Sequence, residues 1–127
     1  MAAGEAFTEA QRHRVEEAVA AARRQSGLAF SVYVGDTDGE SRPMAERLHA
    51  SVAGERADAV LLLVAPGQRR LEIVTDPAVR DRLPDRTCAL ATLSMTSSFS
   101  GGDLVGGIVN GLRMLADGAV GTSAERS

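Results

Sequence analysis

The stretch that decides the fold is DAVLLLVA at residues 58–65, followed by PGQR at 66–69 and RLEIVTD at 70–76. The first segment is an unbroken apolar run, which is typical of a strand buried on both faces of a sheet. The last segment alternates, with Leu71 and Ile73 on one side, and is typical of a strand with one covered face. Because Pro-Gly between them indicates a turn, we predict an antiparallel β-hairpin.

Four other segments have apolar residues at helical spacing, and one alternates like a strand. The helical segments are residues 8–27, 43–54, 85–99 and 104–117, and the strand is residues 28–34. The helix between this strand and the hairpin forms a crossover, which makes the strands that it joins parallel. We therefore predict an α/β fold, a three-layer sandwich in which a mixed central sheet, made of a parallel pair and an antiparallel hairpin, is flanked by helices. The predicted domain spans residues 7–117, and residues 118–127 are expected to form a flexible tail.

The apolar stripes of two helices predict which of their side chains face the core. These are Met44, Leu48 and Val52 in the second helix, and Cys88, Leu90 and Leu93 in the third. His49 lies beside the first of these stripes and is interpreted as a boundary residue. Gly107 is one of several glycines in the last helix, which indicates that this helix approaches a neighbouring element closely.

Composition excludes several classes of protein. The net charge of −3 and the 3% aromatic content argue against nucleic-acid binding. Lysine is absent, so a Schiff-base lysine and a P-loop lysine are excluded. Cys88 is the single cysteine, which excludes an intramolecular disulfide. Residues 1–6 do not resemble a signal peptide, and no apolar run approaches the ~18 residues of a membrane span, so we expect a soluble, cytoplasmic protein.

No catalytic motif is evident. The glycines at 101–102 and 106–107 suggest a phosphate loop, but they follow a helix rather than a strand and lack the accompanying lysine. Helix packing is therefore the preferred interpretation. The two histidines show no spacing that would indicate a Ser-His-Asp arrangement.

The hairpin brings carboxylates together. With the turn centred on Gly67, Asp58 lies directly opposite Asp76, and like charges in such a pair destabilise a sheet. One explanation is a hard cation, since carboxylate oxygens bind Ca²⁺ or Mg²⁺, and Asp85 could approach the same edge. The second is neutralisation by an arginine; those nearby in sequence are Arg56, Arg80 and Arg82. The third is that Asp58 is a solvated strand entry and Asp76 a helix cap.

The order of these segments resembles that of TPM domains, a family that includes a thylakoid-lumen acid phosphatase and a photosystem repair factor. The segments that carry the resemblance are residues 8–27, 30–34, 58–63, 71–75, 83–85 and 99–104. The resemblance implies an α/β sandwich and, for some members, calcium binding through carboxylates. The acidic positions that match the family pattern are Asp58, Asp85 and Asp103, whereas Asp76 stands where the family often has glycine.

We therefore predict a non-catalytic binding or assembly module that binds a protein partner. The predicted metal ligands are Asp58, Asp76, Asp85 and Asp103, holding Ca²⁺ or Mg²⁺, and no organic cofactor is expected. The alternative is a metal-assisted acid phosphatase acting on phosphomonoesters, in which the ion polarises a phosphoryl oxygen or activates water. Whether the chain is an enzyme is left open, because the sequence shows no evident general acid or nucleophile.

Overall fold

The computed structural model describes residues 7–37 and 39–126, with side chains up to residue 121. The signal-peptide prediction concerns residues 1–6, which lie outside this part. The helices and strands are α1 (Glu9–Ser26), β1 (Ala29–Val34), α2 (Ser41–Ala53), β2 (Ala59–Ala65), β3 (Arg70–Thr75), α3 (Asp85–Ser100) and α4 (Leu104–Arg126). No helix within the described residues combines the length and hydropathy that crossing a bilayer requires.

The described sheet has three strands in the order β1-β2-β3. β1 is parallel to β2, and β3 is antiparallel to β2, so the predicted mixed sheet and the α/β class are confirmed. β2 is buried along its whole length because it lies between both neighbours and both helical layers. Its unbroken apolar sequence follows from that position.

The two faces of β2 belong to two separate clusters. Val60 and Leu62 are packed in the larger cluster, with buried residues of α1, α3 and α4. Leu61 and Leu63 pack in the smaller cluster, with Ala45 of α2. The sheet is therefore the middle layer of three, as predicted.

The hairpin register differs by one residue from the prediction. Ala65 pairs with Arg70 and Val60 with Thr75, which places the centre of the loop between Gly67 and Gln68 rather than on Gly67. The reason is that the loop has four residues: Pro66–Gln68 form a short 3₁₀ turn, and Arg69 follows in the left-handed conformation with φ 54°. Asp76 consequently meets Ala59, not Asp58.

Each edge of the sheet has a main-chain carbonyl that accepts from an arginine. On the outer side of β1, Arg23 Nε and Nη2 donate to the carbonyl of Phe30 at 2.9 and 2.7 Å. On the outer side of β3, Arg42 Nη1 donates to the carbonyl of Ile73 at 3.0 Å. Edge strands expose main-chain groups that can pair with other chains, and charged side chains on the edge oppose such pairing.

The predicted inward faces of α2 and α3 are wrong in part. In α2 the buried stripe consists of small residues and a histidine, namely Ser41, Ala45, His49 and Ala53. Met44 and Leu48 are partly buried against the smaller cluster, in line with the prediction, whereas Val52 is 50% exposed. Small side chains let the helix approach a sheet face already filled by Leu61 and Leu63.

In α3 the buried residues are Ala91 and Met95, whereas Leu90 and Leu93 point outward. Cys88 is only partly buried at the core, as a neighbour of the larger cluster.

The last helix is longer than the predicted domain. Residues 118–127 are predicted to form a flexible tail, and α4 continues into this segment, through Gly118 to Arg126. Ala116 and Ala119 are fully buried and extend the apolar stripe of Leu112 and Leu115 by another turn.

Gly107 lies where α4 crosses α3, as its glycine-rich sequence predicted. A Cβ atom at this position would lie 2.7 Å from a ring carbon of Phe99 and 2.9 Å from Cβ of Ser98. We expect Gly107→Leu to lower the free energy of unfolding by about 1–3 kcal/mol through overpacking. Urea unfolding of the two proteins measures this difference.

Gly121 provides the matched control, because it lies in the same helix with no neighbouring atom within 4 Å of a Cβ. Gly121→Ala should leave stability unchanged or raise it by up to about 1 kcal/mol, since alanine favours the helix. Equal urea midpoints for Gly107→Leu and the parent would contradict the close contact between α3 and α4.

Candidate functional site

The end of the sheet at which β2 begins holds two of the predicted metal ligands. Asp76 accepts a hydrogen bond at Oδ2 from the Ala59 amide at 3.0 Å, and its own amide donates to the Ala59 carbonyl at 3.1 Å. Asp58 points to Arg56 instead, and both of its oxygens accept from the guanidinium at 2.9 and 3.1 Å. Of the arginines named from the sequence, Arg56 therefore neutralises Asp58.

The hydrogen bonds from Arg56 hold the pKa of Asp58 below its ordinary value, against a smaller opposing effect of burial. The carboxylate likewise raises the pKa of Arg56. Because the pKa of Asp58 is lower in the folded state than in the unfolded state, its stabilising effect is present above the unfolded pKa. It is lost as the pH falls through the folded value.

His49 joins this end of the sheet, which the sequence did not predict. Its side chain is buried, with the residue only 8% exposed, and Nε2 lies 3.1 Å from the Ala59 carbonyl and 3.7 Å from Oδ2 of Asp76. The burial of His49 could have been predicted from its position four residues from both Ala45 and Ala53, because that spacing puts all three on one helix face. The contacts indicate that His49 fixes α2 to the start of β2.

The other two predicted ligands lie elsewhere. Asp85 is the first residue of α3, where its negative charge interacts favourably with the helix dipole. Asp103 precedes α4 and accepts from the Gly106 amide at 2.9 Å, and its neighbours Gly102 and Leu104 line the same groove as Pro66 and Arg69 of the hairpin loop. Within residues 7–37 and 39–126, no three His, Cys, Asp or Glu side chains come together as a possible metal site.

The single cysteine does not have the properties of a nucleophile. Burial, and secondarily the charge of Asp85, raise the pKa of the Cys88 thiol. A thiol with a raised pKa is protonated near neutral pH, and it is the thiolate that reacts.

A groove runs between β3 and α3. It has a volume of about 650 Å³ and is lined on the strand side by Pro66, Arg69, Arg70, Leu71 and Glu72. On the helix side it is lined by Thr92, Thr96, Phe99 and Ser100 of α3, followed by Gly102 and Leu104. The groove therefore combines the open edge of the sheet with hydroxyl groups, an aromatic ring and two arginines.

The outward face of α3 continues this groove. Leu93 is 67% exposed and Leu90 is 54% exposed. Leu93 shares a helix face with Thr96 and Ser100, which line the groove, because these residues are three and seven positions apart. The run from Thr87 to Gly102 contains no charged residue, which was the sequence signal for an unusual helix surface.

The contacts of the two aspartates predict unequal effects on stability. Asp76→Ala leaves the buried amide of Ala59 without its side-chain acceptor and should lower the free energy of unfolding by about 1–3 kcal/mol. Asp58→Ala removes only a solvent-exposed ion pair and should change it little. Thermal melts at pH 7 measure both variants, and equal losses would show that Asp58 has a structural contact comparable to that of Asp76.

Solved structures of other proteins share this fold. The BA42 protein from the psychrophilic bacterium Bizionia argentinensis superposes with a TM-score of 0.78 at 17% identity, over 91% of this chain and 83% of that chain. The N-terminal domain of a P. gingivalis protein gives a TM-score of 0.77 at 19% identity, over 91% and 77% of the two chains. At these identities the likeness concerns the fold alone.

Sequence comparisons found relatives and a matching family model. An uncharacterised protein of Mycobacterium tuberculosis, found in strains CDC 1551 and H37Rv, is 29% identical over 104 residues. These residues are 82% of this chain, and the matched part spans 62% of the relative's length. The family model described as "Domain of unknown function (DUF5130)" matches residues 2–116, and the chain therefore belongs to that family.

Proposed function

We propose that this chain is a non-catalytic binding module that docks a protein partner on the outward face of α3. The observation that carries the proposal is the exposure of Leu90 and Leu93 in a helix whose run from Thr87 to Gly102 has no charge. The central parts of protein interfaces are depleted in charged residues, which are common on other helix surfaces.

Burial of these leucines supplies a driving force for association. Covering a leucine side chain completely is favourable by roughly 1.5–3 kcal/mol, and part of that is available because both side chains are exposed. The serines and threonines around them are short, so a partner can approach the helix closely. The groove beside β3 adjoins this face and extends the surface that a partner can contact.

The TPM resemblance adds a cation to this proposal. Calcium binding by carboxylates is an expectation from that resemblance, and Asp58 and Asp76 are the predicted ligands that share one end of the sheet. Arg56 already occupies both oxygens of Asp58, so an ion would have to replace a guanidinium. A cation therefore belongs to the proposal only for a state in which Arg56 has left Asp58.

A metal-assisted acid phosphatase acting on phosphomonoesters stays the alternative prediction. It would require a nucleophile or metal-activated water together with a general acid. Turnover of a generic phosphomonoester that depends on Ca²⁺ or Mg²⁺ and is lost in Asp58→Asn would favour the phosphatase over the binding module.

Site-specific photo-crosslinking tests the proposed surface. A photo-reactive amino acid at position 93 should form a discrete crosslinked product in cells that contain the partner. The same amino acid at Val52 should not, because Val52 is 50% exposed but lies on α2, in the opposite layer. Leu90→Ser should weaken the product at position 93 by about tenfold, since about 1.4 kcal/mol of lost contact corresponds to that factor.

Two results would contradict the binding proposal: equal crosslinking from positions 52 and 93, or an undiminished product in Leu90→Ser. Loss of folding does not complicate the comparison, because substitutions of exposed residues usually change stability by less than about 0.5 kcal/mol. A thermal melt of Leu90→Ser checks this.

Calcium titration distinguishes an ion from arginine neutralisation at Asp58. We expect Ca²⁺ to leave the melting temperature of the parent unchanged, because Arg56 holds the carboxylate. In Arg56→Gln the carboxylate is released, and Ca²⁺ at a hundred times its dissociation constant would stabilise the fold by about 2.7 kcal/mol. A rise in the parent melting temperature that is absent in Asp58→Asn would instead show that the ion replaces Arg56.

A further inference from the structure

We infer that the groove between β3 and α3 takes an extended peptide segment of the partner, added to β3 as a fourth strand, with acidic residues toward the C-terminal end of that segment. This inference rests on the proposed binding function and specifies the chemistry of the partner. Three features carry it: the main-chain groups of the β3 edge, the open space beside them, and the arginines at one end.

The outer edge of β3 presents alternate residues. Asp76 and Ala59 form a hydrogen-bonded pair across the hairpin, so the alternation of antiparallel bonding directs the main chain of Val74 and Glu72 toward β2. The amides and carbonyls of the intervening residues point outward, as the bond from Arg42 to the Ile73 carbonyl shows. These residues are Leu71, Ile73 and Thr75. They form the ladder that strand addition uses.

The groove lies beside the first part of this ladder, since of the three residues Leu71 lines it, and the edge beyond it is solvent-facing strand. A volume of about 650 Å³ separates the strand edge from Thr92, Thr96 and Phe99 of α3. In an added strand, successive side chains point to opposite faces, so every second one would enter the groove. There the ring of Phe99 can cover an apolar side chain, while the threonine hydroxyls can bond to polar ones.

Charge at one end of the groove selects the segment. Arg69 and Arg70 are exposed, and among the described residues neither has a carboxylate within 4.0 Å. Glu72 does not supply one, since its oxygens contact Ser41 at 2.6 Å and Arg42 at 3.6 Å. Arginine pairs with carboxylates through charge-assisted hydrogen bonds. These arginines lie where β3 begins, so in an antiparallel arrangement they face the C-terminal end of the incoming segment.

One carbonyl of the β3 edge, that of Ile73, already accepts a hydrogen bond when no peptide is bound. Arg42 donates to the Ile73 carbonyl, but its side chain is half exposed. An exposed arginine that leaves such a bond regains water, so replacing it costs little. A carbonyl oxygen also has two lone pairs and can accept from both donors.

Binding of a synthetic peptide tests the inference on the full chain. The probe has about eight residues, the common length of a short strand, in which valine and threonine alternate and two aspartates stand at the C-terminal end. It is acetylated and amidated at its ends and carries a fluorophore at the N-terminus for anisotropy. We expect saturable binding, with shifts of the amide signals of Leu71, Thr75, Thr92 and Thr96 in two-dimensional NMR spectra.

Three altered peptides separate strand addition from other modes of binding. Methylation of alternate peptide amides removes the ladder without altering the protein, and should abolish binding. Replacing both aspartates by asparagine, or moving them to the N-terminal end, should weaken binding by about tenfold, as expected for a lost charge-assisted contact. Undiminished binding of the methylated peptide would overturn strand addition, and undiminished binding of the asparagine peptide would overturn the charge selection.

Protein variants locate the contact. Arg70→Gln and Arg69→Gln should each reduce affinity for the acidic peptide, whereas Arg47→Gln, an exposed arginine on α2, should not.

Full competition by inorganic phosphate would show that the groove binds anions in general and would overturn the inference. Concentration-dependent dimerisation that the peptide cannot reverse would assign the edge to a second copy and overturn it too. If crosslinks at position 93 appear but no peptide binds, this inference fails while the binding function stands; loss of both refutes the function itself.

Discussion

The structure depends on the burial of β2 on both faces. Every residue of this strand is covered, with Val60, Leu62 and Val64 in the larger cluster and Leu61 and Leu63 in the smaller one. Two helical layers are needed for this, and neither layer has another place to bury its apolar stripe. The crossover helix α2 forms one layer by itself, and it does so with alanine and His49 at the contact. The other layer needs three helices, and α3 within it extends beside β3.

The elements could be predicted from the sequence because each one repeats apolar residues at the spacing of a helix or a strand. The register of the hairpin could not, since it depends on whether the loop has an odd or an even number of residues. Arg69 in a left-handed conformation adds the fourth loop residue, and a non-glycine residue at positive φ carries no reliable sequence signal. The inward faces of α2 and α3 were predicted wrongly in part, for another reason. In both helices the leucine or valine stripe competes with a stripe of smaller residues, and close approach selected the smaller one, as at Ala45 and Ala91.

The candidate functional site, too, could be predicted only in part. The hairpin alone places Asp76 at the end of the sheet, so the position of this residue could be predicted from the sequence. The side chains that contact Asp58 and Asp76 could not be predicted. Arg56 comes from the loop before β2, and His49 comes from a helix face that the sequence assigned to other residues. The groove beside β3 depends on how α3 packs beside that strand, and no local sequence pattern records this packing. Only the absence of charge between Thr87 and Gly102 indicated that this helix surface is unusual.

The two arginines on the outer carbonyls of β1 and β3 have a consequence for the protein at high concentration. A three-stranded sheet has a large share of edge for its size, and two unmodified edges on opposite sides would allow copies to join end to end into fibres. Arg23 makes two bonds to Phe30, so stacking on β1 must first remove a cation from a carbonyl, whereas Arg42 makes one bond to Ile73 and leaves β3 accessible to a further strand. Because growth of a fibre needs both edges, protection of the β1 edge alone prevents it.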